Sequence, residues 1–130
     1  MKIGFTGSRE GMTARQLQGV NWWLQQKQPT EAHHGDCVGA DAEFHFLCEE
    51  LGIPVRGHPP TNPKLRAFCN FSLGLEPEKP YLNRNLDIVD AVDLMIGAPS
   101  GDEEDQPRSG TWYTIRYSLA SGKPTITVYP

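Results

Sequence analysis

The residues best suited by type to do chemistry fall in four short runs. The first is Gly7-Ser8-Arg9, directly after the apolar stretch Lys2–Thr6. Gly7 allows a ligand close to the backbone, Ser8 offers a hydroxyl, and Arg9 offers a planar fork of donors that suits phosphate. The second is Gly35-Asp36-Cys37-Val38-Gly39-Ala40-Asp41, followed by Glu43 and His45. Small residues leading into a helix leave free N–H groups that favour an anion. Asp36, just past a strand, can accept from ribose hydroxyls, whereas Asp41 reads first as a helix N-cap. The third run is Arg84-Asn85. It faces a crevice, or else Arg84 pairs with Asp87 at i, i+3 on a helix surface. The fourth is Arg108-Ser109-Gly110-Thr111, a strong helix-start signal and a plausible second phosphate cradle.

Other chemistries find less support. Gly4, Gly7 and Gly11 have neither the GxGxxG nor the Walker A spacing. His33, His34, Asp36 and Cys37 fit no standard zinc pattern, and strand alternation separates His33 from His34, so no metal is expected. No cofactor motif is present. The acidic run Asp102–Asp105 reads as a solvated loop that could at most lend oxygen ligands to Mg²⁺.

The chain of 130 residues suits one domain, spanning 1–130. A net charge of −4 argues against general nucleic-acid or acidic-membrane binding. Three cysteines without a CxxC spacing imply no disulfide framework. With no leader and no long apolar run, a cytoplasmic location is expected.

Elements that would carry these runs alternate along the sequence. Thr13 and Gln16 form a capping-box pattern at the head of a helix with Leu17, Val20 and Leu24 on one face. Glu31–His34 reads as a second strand. Phe44, Leu47, Cys48 and Leu51 give the next helix an apolar stripe that ends at Gly52. Ile53–Gly57 reads as a third strand. His58–Pro80 holds five prolines and reads as a functional or capping loop, with a short helix around Lys64–Asn70. Tyr81–Val92 reads as a helix with Leu82, Leu86 and Val89 on one side. Asp93–Gly97 reads as a fourth strand. Trp112, Ile115 and Leu119 mark a last helix before strand Thr125–Tyr129.

Such alternation implies an α/β fold: a single Rossmann-like, three-layer domain. The five-stranded, mainly parallel sheet is expected in order 3-2-1-4-5, with helices on both faces. The switch point then lies between strands 1 and 4, where the Gly7-Ser8-Arg9 turn faces the loop after Gly97.

In this order the runs resemble the SLOG superfamily, which joins DprA (SMF) to the LOG proteins. Gly7-Ser8-Arg9 resembles its GSR. Gly35, Gly39, Asp41 and His45 resemble the G-xxx-G-x-D-xxx-H run of the DprA-like branch. Arg84-Asn85 resembles its RN, Ser109-Gly110-Thr111 its late Ser/Gly-Thr motif, and Gly122-Lys123-Pro124 its lead into the last strand. The short stand-alone YspA/YpsA-related members look nearest. The resemblance implies a nucleotide or nucleotide-sugar ligand held between the Gly7-Ser8-Arg9 loop and the Ser109–Thr111 helix start. LOG enzymes carry PGGxGTxxE. Here Thr114 stands at the glutamate position, and a threonine cannot serve as that carboxylate. An enzyme acting at a glycosidic bond would therefore draw on Asp36, Asp41 or Glu43.

The expected function is binding of a nucleotide-derived ligand, as a sensor or ligand-binding protein. The alternatives are an N-glycosidase and a DprA-like single-strand binder using Arg9, Lys64, Arg66, Arg84 and Arg108. A homo-oligomer is expected, because Trp22, Trp23, Trp112 and Tyr113 exceed what a small core hides.

Overall fold

A computed structural model describes all 130 residues. Strand β1 (Lys2–Gly7) is followed by helix α1 (Ala14–Lys27), β2 (Glu31–His34), α2 (Ala40–Glu50) and β3 (Val55–Gly57). After an irregular stretch come α3 (Tyr81–Ala91), β4 (Leu94–Ala98), α4 (Gly110–Ala120) and β5 (Thr125–Thr127). The five strands form one sheet in the order β3-β2-β1-β4-β5, and every pairing is parallel. This is the expected topology, with β1 and β4 side by side at the switch point. No helix is long and apolar enough to cross a membrane.

Local signals set the ends of the elements. The Thr13 hydroxyl accepts from the Gln16 N–H while the Gln16 side chain accepts from Thr13 N–H, closing the capping box of α1. Helix α2 starts at Gly39, whose φ of +90° suits only glycine. Gly39, not Asp41, is therefore the N-cap.

The two faces of the sheet are packed differently. On the α1/α2 face, Ile3, Phe5, Val20, Leu24, Phe44 and Ile96 belong to one apolar cluster. Within it the Phe5 and Phe44 rings stack at 4.4 Å. The α3/α4 face holds a smaller cluster of Ile88, Val89, Val92 and Met95. Buried polar residues fill the rest of that face: Arg84, Asn85, Thr111, Thr114 and Ser118.

Several sequence expectations shift accordingly. The buried side of α3 is Arg84, Asn85, Ile88 and Val89, with Leu82 and Leu86 only half-buried. In α4 Leu119 is exposed, because the inward positions are Thr111, Trp112, Thr114, Ile115 and Ser118. In α2 His45 is buried and Leu51 lies at the surface. The expected helix at Lys64–Asn70 is only a 3₁₀ turn, Pro63–Leu65. Beyond it the chain extends and wraps back over Asp36. Trp112 is buried with its indole N–H donated to Gly101 O, and Trp23 packs on the main core. Trp22 and Tyr113 remain exposed.

Candidate functional site

At the carboxyl ends of β1 and β4 the sheet opens into a crevice of about 520 Å³. That size suits a small-molecule ligand. Its walls come from the loop after β1, the starts of α2, α3 and α4, and the segment Ser100–Arg108. The sequence-predicted residues Gly7, Ser8, Arg9, Asp41, Arg84, Asn85, Ser109, Gly110 and Thr111 all line it.

The other predicted residues stand behind these walls and shape them. Ala40 N–H donates to Ser8 O at 2.9 Å, so α2 holds the β1 loop. The Arg9 backbone passes against Gly39, where any Cβ would collide with it. Gly35 lies flat under the Arg84 guanidinium, and Gly97 lies under Ile115. The Glu43 carboxylate accepts from Met12 N–H at 2.6 Å and ties that loop to α2.

Asp36 does not face the crevice. It is fully buried with φ +53°. One carboxylate oxygen accepts from Arg66 Nε and Nη2, both at 2.9 Å, and the other accepts from Cys69 N–H at 3.0 Å. A carboxylate with these bonds staples the Arg66–Cys69 segment and has no free face for ribose. Of the three carboxylates considered for chemistry, only Asp41 reaches the crevice. It accepts from Cys37 N–H at 3.1 Å. Burial pushes its pKa up to about 6, against the pull of the nearby Arg84.

The crevice is rich in unused donors. The backbone N–H groups of Ser8, Arg9, Gly110 and Thr111 meet no acceptor in the protein. The Ser109 hydroxyl caps α4 by accepting from Trp112 N–H at 3.2 Å, which leaves the next two amides pointing forward. Arg9 and Arg108 form no ion pair. The Arg9 guanidinium sits over the Tyr81 ring at 5.1 Å.

Arg84 does not pair with Asp87, which Lys79 takes at 2.6 Å. Its guanidinium turns inward and donates to Gly35 O, to His58 O at 2.9 Å, to Cys37 Sγ at 2.9 Å and to Asn85 Oδ1 at 2.5 Å. Of the acidic loop, Asp105 reaches the rim of the crevice, whereas Glu103 pairs with Arg116 at 3.0 Å.

Sequence reasoning missed Tyr81 and Cys37 as lining residues. Cys37 lay inside a run already singled out, but nothing local marked Tyr81. The structure also gathers His34, His45 and Cys69, with one ligand-type atom from each within 4.8 Å of the others. Their bonding gives the histidines another role. Asp36 N–H donates to His34 Nδ1 at 3.0 Å, so neutral His34 carries its proton on Nε2. That proton faces His45 Nδ1 at 2.9 Å, and His45 Nε2 faces Asn70 O at 3.1 Å. Both ring lone pairs are thus used within the protein. Burial holds the His34 pKa well below its ordinary value, which keeps the His34 ring neutral. On the opposite side of β2, His33 Nδ1 lies 2.8 Å from His58 Nε2, as strand alternation requires.

No protein-family profile matches the sequence, and no curated protein does. Solved structures do. A molybdenum cofactor binding protein from Rippkaea orientalis aligns with a TM-score of 0.75 at 18% identity, over 99% of this chain and 76% of that one. A Moco carrier protein from Chlamydomonas reinhardtii gives 0.72 at 16% identity, over 99% and 76%. DNA processing protein A from Helicobacter pylori, described for its single-stranded DNA binding mode, gives 0.69 at 17% identity, over 98% and 64%. At such identities the likeness is one of fold. The fold that the resemblance implied is the fold of this chain.

Proposed function

We propose that this chain binds a nucleotide or nucleotide-derived ligand as a sensor or ligand-binding protein. A phosphate would lie between the Gly7-Ser8-Arg9 loop and the start of α4. The observation that carries this reading is the set of unused amides of Ser8, Arg9, Gly110 and Thr111 around one crevice. Backbone N–H groups at a helix start form a ready site for an anion. Arg9 and Arg108 add charge, and neither forms an ion pair within the protein. A molybdenum cofactor protein among the structural neighbours is in keeping with this class of ligand.

The test is a thermal-shift screen over nucleotides and nucleotide sugars, repeated with Arg9→Ala. At least one ligand is expected to raise the melting temperature, with the shift reduced in the variant. No shift for any ligand, or an equal shift in Arg9→Ala, would overturn the site.

A second reading, cleavage of the ligand's glycosidic bond, is supported by one feature: Asp41 reaches the crevice with a pKa of about 6. A group so tuned can hold a proton near neutral pH. Release of free base from nucleoside monophosphates, lost in Asp41→Asn, would favour it over simple binding. A single-strand groove has less support. Of the five cations it would use, Arg66 is tied to Asp36 and Arg84 is buried.

A further inference from the structure

We infer that the crevice binds a ligand with two anionic groups, the second of them held on its floor by Arg84 and Asn85. This rests on the reading of the crevice as an anion site.

The N-terminal half of α3 buries two strongly polar side chains where an apolar face would be cheaper. Arg84 is 4% exposed and Asn85 is 7% exposed. A buried cation is costly unless it is paired with an opposite charge. Arg84 has no such direct pair, since no carboxylate oxygen lies within 4.0 Å of its nitrogens. Its bonds go to neutral acceptors: Asn85 Oδ1, Gly35 O, His58 O and Cys37 Sγ. A guanidinium has five N–H donors, so one remains, on the nitrogen that already donates to Cys37. Asn85 is in the same condition. Its oxygen is taken by Arg84, and its amide N–H groups donate to nothing in the protein.

Both side chains line the crevice. Its floor therefore offers unused donors and one positive charge. This set is separate from the amides of Ser8, Arg9, Gly110 and Thr111, because it comes from another helix. Asp41 is the buried carboxylate beside it. Because burial already raises its pKa to about 6, an anion on Arg84 needs little further rise to leave Asp41 protonated. Two donor sets in one crevice match a diphosphate, or a phosphate joined to a carboxylate.

The experiment is calorimetric titration of the full chain with inorganic phosphate, pyrophosphate and 3-phosphonopropionate. The wild type should bind at least one of the two-headed probes about tenfold more tightly than phosphate, the worth of an added charge-assisted contact. Asn85→Asp keeps an oxygen for Arg84 Nε, so the fold is retained, but it replaces the amide donors with a negative charge. That variant should lose the tenfold advantage and keep the affinity for phosphate. Asn85→Ala, which removes the donors without adding charge, should lose most of it. Equal binding of all three probes by the wild type, or an undiminished advantage in both variants, would overturn the second subsite and leave the first standing. Failure of phosphate and of both two-headed probes to bind the wild type would overturn the anion crevice, and this inference with it.

Discussion

Two helices start at the same crevice and solve the same electrostatic problem in opposite ways. The positive end of α2 carries its own acids in the first turn, Asp41 and Glu43, and its first amide is held by Ser8 O. The positive end of α4 carries no acid in its first turn, and the amides of Gly110 and Thr111 are left free. A helix N-terminus attracts negative charge wherever that charge comes from. Helix α2 is satisfied from within the chain and serves as structure, anchoring the β1 loop and placing Asp41. Helix α4 has no such acid, and its first two amides stay without an acceptor in the protein. Small residues at a helix start are thus not enough to mark an anion site. What matters is whether acidic residues of the same chain have already taken the place.

The starting turns can be broken separately. Gly39→Ala should have the largest effect. Its φ of +90° is one that alanine resists, and the new Cβ would meet the Arg9 backbone. Strain and overpacking together should cost about 4 kcal/mol. Denaturant unfolding would show this, and a loss below ~1 kcal/mol would mean that the α2 turn is not the fixed anchor described.

Next comes Asp41→Asn, read as a function of pH. The Asp41 pKa is raised from 3.8 to about 6, so the folded state favours its protonated form. A raised acid pKa destabilises above the folded value, and that cost is relieved as pH falls from about 6 to 4. The variant lacks this dependence. Its stability relative to wild type should therefore fall by about 3 kcal/mol between pH 7 and pH 3.5. Comparing the two proteins cancels the opposing effect of His33, His34 and His58. Burial lowers the pKa of all three, to about 4 for His58, so they lose stability as pH drops. A difference that stays flat across that range would remove Asp41 from its assigned environment.

The smallest change in energy is the most pointed. Ser109→Asp keeps a good N-cap, so stability should stay within about 0.5 kcal/mol of wild type. It also gives α4 the acid that α2 already has. Phosphate affinity should fall about 100-fold, or roughly 2.7 kcal/mol. Unchanged phosphate binding would show that the start of α4 is not where the anion sits.

Much of the architecture was legible before any coordinates. Alternating strands and helices with glycine and proline stops implied the parallel order 3-2-1-4-5, because right-handed crossovers leave few alternatives. The Thr13–Gln16 box and the Ser109 start were readable because caps are local. The runs around Gly7, Arg84 and Ser109 pointed to one crevice because strand ends in such sheets converge there.

What each residue does within those runs was settled by neighbours distant in sequence. Asp36 looked free to meet a sugar until Arg66 and the Cys69 amide, some thirty positions on, took both its oxygens. For Arg84 the sequence left open a crevice position or a helix ion pair with Asp87, until the fold turned it onto Gly35 and His58 at the crevice. His34 was set aside as a metal ligand with His33, Asp36 and Cys37, yet in space it meets His45, and only the direction of the Asp36 N–H shows that their lone pairs are already used.

The sequence by itself determined the elements, their order and the crevice at which they converge, because periodicity, caps and crossover handedness act within or between neighbouring segments. Only the tertiary structure decided which donors around the crevice remain unpaired. Satisfaction of a polar group depends on every atom brought within ~3 Å of it, and such partners come from anywhere in the chain.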